Sequence, residues 1–329
     1  MILTNSIADH SSLKILRDIN PKPTYYTEII ICLFDKEYHY GIAALANSLV
    51  ASNFNGLINV GFRGRLPSWV SQLKTIGDNY FYLTTDIIIH FNQLDTDMHL
   101  GYYKPFFIKE TMDTYKTTDK FYYFDADILI RAPWHIFSSW LDKGVCICLD
   151  SNFHFLHHNH PWRKDWRKLV EVHEKLLNNT HYYFNSGFLG IERQSIDLIK
   201  RWIHFTVKYK ETGGDVNQFE KAPYSSFKGD QDLLNAAITT SADIEISIMG
   251  KEGMGFTYPA TIMEHAVGDD KPWNKSFLGQ LITIGRKPSM ADQAYFSFCK
   301  YPICIFPVHR YRFKKLKLLT ASILGRFLG

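Results

Sequence analysis

Residues 120–130 read KFYYFDADILI: a run of large apolar side chains ends in Asp125 and Asp127, then resumes. In extended chain, residues two apart project from one face, about 6.6 Å apart along the strand. Open α/β sheets bind ligands outside the carboxyl ends of their strands, and these carboxylates fall at such an end. Both are ionised at neutral pH. Two anions at that spacing repel unless a cation lies between them, and carboxylate oxygens suit Mg²⁺ or Mn²⁺. The bland alternative is a pair of solvated aspartates in a turn.

Working outward, the chain alternates strand-like and helix-like stretches. Thr27–Leu33 reads as a buried strand and Tyr40–Ala51 as a helix. Leu57–Gly61 is a second strand, Pro67–Thr75 a helix, Ile87–His90 a third strand and Tyr103–Tyr115 a helix. Phe121–Phe124 and Val145–Leu149 add strands. Beyond residue 150 the pattern loosens into a His- and Trp-rich stretch, a strand over Tyr182–Leu189, and helices over Ser195–Tyr209 and Gln231–Thr239. This alternation predicts an α/β fold with a mostly parallel sheet. The expected division is a lead-in over residues 1–24, one domain over 25–300, and a basic amphipathic segment over 301–329.

Composition narrows the classes. With 46% hydrophobic and 21% charged residues the chain is globular rather than disordered. A net charge of +4 is too small for a dedicated nucleic-acid binder. Five cysteines scattered through apolar runs such as VCICL suggest reduced core thiols and a cytoplasmic location. No stretch reaches the roughly 18 apolar residues of a membrane span.

Two further stretches bear on the acidic pair. In HAVGDDKPW (265–273), His265 offers an imidazole that would complete a carboxylate–carboxylate–imidazole set, a donor mix favouring Mn²⁺ over Mg²⁺. Gly268 permits close backbone approach, and Lys271 places an ammonium for phosphate. FNSGFLGI (184–191) and GDQDLLN (229–235) add Asn185, Ser186, Asp230, Gln231 and Asp232 beside a strand and a helix start, where an aspartate is most often a cap.

Taken in order, LFDKEYHYGIAALANSL, YYKPFFIKE, FDAD, FNSG, DQDLLN and HAVGDDKPW resemble the motifs of the family 8 nucleotide-sugar glycosyltransferases. That family includes glycogenin and bacterial lipopolysaccharide galactosyl- and glucosyltransferases. The resemblance spans Thr27 to Trp273. It implies a Rossmann-like GT-A fold and a retaining, Mn²⁺-dependent transfer of glucose or galactose from a UDP-sugar to a glycan or glycolipid acceptor, as in surface-polysaccharide synthesis. It implies that Asp125, Asp127 and His265 hold the metal, with Asp125 also near the donor ribose. Gly268 and Lys271 would meet the diphosphate, and Lys104 would reach the donor. Leu33, Phe34, Asp35 and Tyr38 would line the uracil pocket, and Asn185, Ser186, Asp230 and Gln231 would surround the donor sugar. Phe34 departs from the pattern, standing where a small hydroxyl residue is frequent. The rival readings are a catalytically silent sugar-nucleotide or glycan-binding module and a sugar nucleotidyltransferase.

Three segments fall outside this set. GFRGRLP (61–67) follows the second strand, and Arg63 and Arg65 read as surface residues. His154, His157, His158 and His160 with Trp162 and Trp166 read as a lid or acceptor-sugar platform; a second metal site and a solvated loop are the alternatives. The tail HRYRFKKLKLLTASILGRFLG (309–329) carries Arg and Lys but no acid, with Phe313, Leu316, Leu319, Ile323 and Phe327 at helical spacing. That pattern predicts an interfacial helix on the inner face of an anionic membrane, with a terminal helix packed on the domain as the alternative.

Overall fold

The computed structural model describes residues 26–170, 177–220 and 225–327. The lead-in over residues 1–24 lies outside them. The chain opens with β1 (Glu28–Phe34), α1 (His39–Ala51) and β2 (Gly56–Phe62), then a hairpin of β3 (Lys74–Gly77) and β4 (Tyr80–Tyr82) leading into β5 (Ile87–Gln93). Next come α2 (Leu100–Thr114), β6 (Lys120–Phe124), β7 (Ile128–Ile130), α3 (Trp134–Leu141), β8 (Val145–Cys148) and α4 (Pro161–Lys168). β9 (Phe188–Glu192), α5 (Ile196–Glu211), α6 (Asp230–Thr239), β10 (Ile246–Met249) and β11 (Met263–His265) follow. The described chain closes with α7 (Phe277–Ile284), α8 (Met290–Ser297) and α9 (Val308–Leu324).

One nine-stranded sheet, in the order β10-β8-β9-β6-β1-β2-β5-β4-β3, organises the molecule. Its centre, β6-β1-β2-β5, is parallel, and β9 runs antiparallel between β6 and β8. The period-2 geometry of a strand explains the layers. In β1, Ile30, Cys32 and Phe34 join a core with α1, α8 and α9, while Ile29, Ile31 and Leu33 join another with α2, α5 and α6. With both faces covered, the central strands read as unbroken apolar runs. Burying an Ile or Phe side chain contributes about 1.5–3 kcal/mol, so the sheet centre is where the fold is held most firmly.

Two expected elements are corrected. Pro67–Thr75 is no helix: a short 3₁₀ turn over Ser68–Gln72 buries Trp69 and Val70, and the chain then enters edge strand β3. The strand expected over Tyr182–Leu189 splits. Tyr182 and Phe184 make isolated bridges, Asn185–Gly187 turns, and only then does β9 begin. The Asn185 side chain accepts from Gly187 N–H at 2.9 Å, a local bond that competes with the ladder.

Candidate active site

The acidic pair does not lie in extended chain. After β6 the backbone turns: Ile128 N–H donates to Asp125 O at 3.1 Å, and β7 starts at Ile128. β11 then pairs antiparallel with β7, setting His265 opposite Ile128, while Ala266 N–H donates to Asp127 O at 3.0 Å. This small second sheet joins side chains 138 or more positions apart in the sequence. One ligand atom from each of Asp125, Asp127 and His265 lies within 4.8 Å of the others.

Two glycines permit the approach. A Cβ on Gly187 would sit 2.7 Å from His265 Cε1, 2.9 Å from Asn185 Oδ1 and 3.0 Å from Asp125 Oδ2. A Cβ on Gly41, in the first turn of α1, would overlap the carbonyl of Ala126 between the two aspartates.

Around the cluster the charges are paired and largely buried. Asp127 accepts from Lys271 Nζ at 2.6 Å and faces His265 Nε2 at 3.2 Å. Burial pushes its carboxyl up, but His265 and Lys271 outweigh this and hold it well below the usual carboxylate range. Lys104, from α2, reaches Asp125 at 2.9 Å, Asp230 at 2.8 Å and the Ser186 carbonyl at 3.2 Å. Desolvation alone would lower the Lys104 pKa; the Asp125 and Asp230 charges reverse that and raise it. Tyr123 Oη donates to Asp125 Oδ1 at 2.9 Å. The His265 Nδ1 atom is buried without a hydrogen-bond partner.

A single cleft of about 530 Å³ gathers the expected residues. Leu33, Phe34, Asp35, Tyr38, Lys104, Asp125, Asp127, Asn185, Ser186, Asp230, Gln231, His265, Gly268 and Lys271 all line it. Their situations differ. Phe34 is a core residue stacked on Phe62, with ring centroids 5.7 Å apart. Asp35 is held by Arg63 at 2.8 Å, which corrects the surface reading of that arginine: Arg63 also donates to the carbonyls of Thr96 and Met98. The Asn185 amide is committed within the protein, donating to Asp150 Oδ1 at 3.0 Å and accepting from Gly187. Gln231 Oε1 accepts from Ser186 N–H at 3.2 Å, and Ser186 Oγ donates to Asp230 Oδ2 at 2.7 Å.

Sequence reasoning missed His99, Asp150, Phe153, Phe219 and Lys228, which line the same cleft. Asp150 carried a usable signal, closing the VCICLD run as Asp125 closes its own. Lys228 had none; its ammonium lies 4.9 Å from the Trp162 ring and 5.6 Å from that of Phe153. Trp166 is fully buried, with its indole N–H on the Ser226 carbonyl, so it is no sugar platform. Asp232 lines the cleft too; burial raises its carboxyl to about 6 against the lowering effect of Tyr183 Oη and backbone N–H donors.

Six aspartates and three lysines line the cleft. A diphosphate entering such a field meets net repulsion, unless a divalent cation is held between the acids and the ligand. Two carboxylates and one imidazole, whose Nε2 already faces Asp127, fit such an ion.

No protein-family profile matches the chain, and no curated protein matches it in sequence. Solved structures do match in fold. The galactosyltransferase LgtC in complex with donor and acceptor sugar analogues is 15% identical, with a TM-score of 0.50 over 87% of this chain and 99% of that one. An active-site mutant of LgtC is 16% identical, at 0.52 over the same shares. The bifunctional glycosyltransferase WbbM in its apo form is 14% identical, at 0.54 over 91% of this chain and 53% of its own. The α/β architecture is thus one that glycosyltransferases share.

Proposed function

We propose that this chain is a retaining, metal-dependent glycosyltransferase that moves a hexose, glucose or galactose, from a UDP-sugar to a glycan acceptor of a surface polysaccharide. The observation that carries this reading is the meeting of Asp125, Asp127 and His265 in one cleft with Lys104 and Lys271. Asp125, Asp127 and His265 would hold the ion, Mn²⁺ first and Mg²⁺ second. When bound, a divalent cation supplies Lewis-acid neutralisation of the charge that grows on the departing diphosphate. Leu33, Asp35 and Tyr38 would take the base, with Asp35 oriented by Arg63. Lys271 and the backbone at Gly268, whose φ is +97°, would take the diphosphate.

Retention requires either a protein nucleophile or departure and attack on one face of the sugar. Lys104 and Ser186 Oγ both contact Asp230 Oδ2, and the ion pair with Lys104 lowers the nucleophilicity of that carboxylate. Gln231 is an amide. We therefore favour front-face transfer. The C1–O bond to the diphosphate breaks, the acceptor oxygen bonds to C1, and its proton passes to a leaving phosphate oxygen. Asp230 and Gln231 steer the sugar. A glycosyl adduct on Asp230, trapped and seen by mass spectrometry, would overturn that choice.

The tail supports attachment to an anionic membrane surface. α9 packs Tyr311, Leu318 and Ala321 into the core and exposes Phe313, Leu316, Leu319 and Ile323 among its lysines and arginines. Ile282 and Ile284 of α7, which packs on α9, are exposed as well. No helix of the described residues is long and apolar enough to cross a membrane.

The deciding experiment is a screen of nucleotide sugars for Mn²⁺-dependent turnover, followed by an acceptor panel. Release of UDP supports the transferase. Release of pyrophosphate in a parallel assay that supplies UTP and a hexose 1-phosphate points to a nucleotidyltransferase, and binding of nucleotide sugars without turnover to a silent module.

A further inference from the structure

The segment before α4 and the segment before the Asn185 turn run side by side. Phe155 bridges antiparallel to Tyr182, and Leu156 N–H donates to the His181 carbonyl at 2.7 Å. Arg163 of α4 ties both arms, donating to the carbonyls of Leu156 at 3.1 Å and Tyr182 at 2.5 Å. This crossing brings His157 and His158 against His181. The three ring centroids lie 4.3, 4.8 and 4.9 Å apart. One ring nitrogen from each falls within 4.8 Å of the others. None of the three lines the cleft already described.

We propose that His157, His158 and His181 form a second metal site, selective for a transition-metal ion of the zinc class. Two independent observations point to a ligand. The first is the convergence of three imidazoles from two separate segments. The second is that the Nδ1 atoms of both His158 and His181 are buried with no hydrogen-bond partner. Buried polar atoms ordinarily find a partner, and a coordinate bond would supply one.

Donor chemistry sets the choice of ion. The trio offers imidazole alone, which suits Zn²⁺, Cu²⁺ or Ni²⁺, whereas Mg²⁺, Ca²⁺ and Mn²⁺ prefer the carboxylates of the other cluster. The charged groups facing His158 are basic: besides His157 and His181 they are Arg167 and Arg163. The arginines repel a dication, so coordinate bonding rather than field strength must retain it. His157 begins with a competing bond from Asn159 N–H to its Nδ1 at 3.1 Å; ligation there exchanges it for the metal. Zn–N bonds of about 2.0–2.1 Å draw the rings somewhat closer than they now stand.

Such an ion would clip together two arms of the cleft wall. One arm carries Asp150, Asn152 and Phe153, the other Tyr183, Asn185 and Ser186. The role is therefore positional, stiffening the wall.

The test uses the full chain, stripped with a chelator, then titrated with zinc chloride and followed by elemental analysis after dialysis. Wild type and Asp127→Asn should each retain one more zinc per chain than the matching His181→Ala variants. Zinc should raise the wild-type Tm but not that of His181→Ala, and a tenfold excess of Mn²⁺ should not displace it. His157 is exposed, so His157→Ala keeps the fold intact and should still weaken zinc binding at least tenfold. Equal zinc in wild type, His157→Ala and His181→Ala, or no zinc retained by Asp127→Asn at micromolar concentrations, overturns the proposal.

Discussion

Replacing Asp127 with Asn keeps the shape of the side chain and removes its charge. Asp127 is 7% exposed, with Oδ2 2.6 Å from Lys271 Nζ and Oδ1 3.2 Å from His265 Nε2. Two losses follow. The proposed metal donor set falls from two carboxylates to one, and Lys271 loses the negative charge that faces it at 2.6 Å while keeping the Ala266 carbonyl at 2.9 Å. Losing one preorganised group in a catalytic site costs about 2.7–4 kcal/mol, roughly 10²–10³ in rate. Breaking a buried ion pair from one side costs about 3–5 kcal/mol. The asparagine oxygen can still accept from Lys271, and relief from Asp125 repulsion offsets part of the cost, so the lower end, about 3 kcal/mol, is expected. Urea unfolding at pH 7 measures the stability loss, and Mn²⁺-dependent release of UDP measures the activity. The pH sign follows from the depressed Asp127 pKa. Its stabilisation is complete above the unfolded carboxylate value near 4 and drains away as pH falls below it. The gap between wild type and variant should therefore narrow at pH 3. Wild-type turnover and Mn²⁺ affinity in a folded Asp127→Asn protein would refute the metal role. A stability gap that is absent at pH 7 would refute the ion pair.

Other expectations rest on separate contacts. Gly187→Ala forces a methyl against His265, Asn185 and Asp125; overpacking of this kind costs about 1–3 kcal/mol, and Mn²⁺ affinity measured by calorimetry should fall with it. Lys104→Met strands Asp125 and Asp230 and should destabilise the protein by about 3–5 kcal/mol in urea, less if either carboxylate takes up a proton. Asp232, with its carboxyl raised to about 6, acts in the opposite sense to Asp127. The folded form binds the extra proton, so stability declines as pH rises from about 4 to 6, by about 3 kcal/mol at most; Asp232→Asn should flatten that slope. Deleting the tail would remove core residues Tyr311, Leu318 and Ala321, so the membrane reading is better tested by Phe313→Ser, Leu316→Ser and Leu319→Ser together. Sedimentation with anionic vesicles should drop at least tenfold, and an unchanged bound fraction would count against attachment.

The alternation of β1, α1, β2, β5, α2 and β6 was legible because strand and helix periods differ and because buried parallel strands read as apolar runs. Which residue types could bind a cation was also legible, since carboxylate and imidazole chemistry belongs to the side chain itself. Distances between them were not. Extended chain put Asp125 and Asp127 on one face of a strand; the structure turns there, and the β7–β11 pairing, a contact between distant segments, carries His265 to them. Ion pairing was equally hidden. Arg63 looked like surface and Trp166 like a sugar platform, yet one orients Asp35 and the other lies wholly in the core. The histidines divided the same way: His157 and His158 drew attention as a dense run, but His181, twenty-three positions later, joins them only because two segments cross. Local pattern reports what a backbone prefers and what a side chain can donate. Convergence depends on long-range packing, which no single stretch of chain encodes, and the charge state of each site follows from that packing.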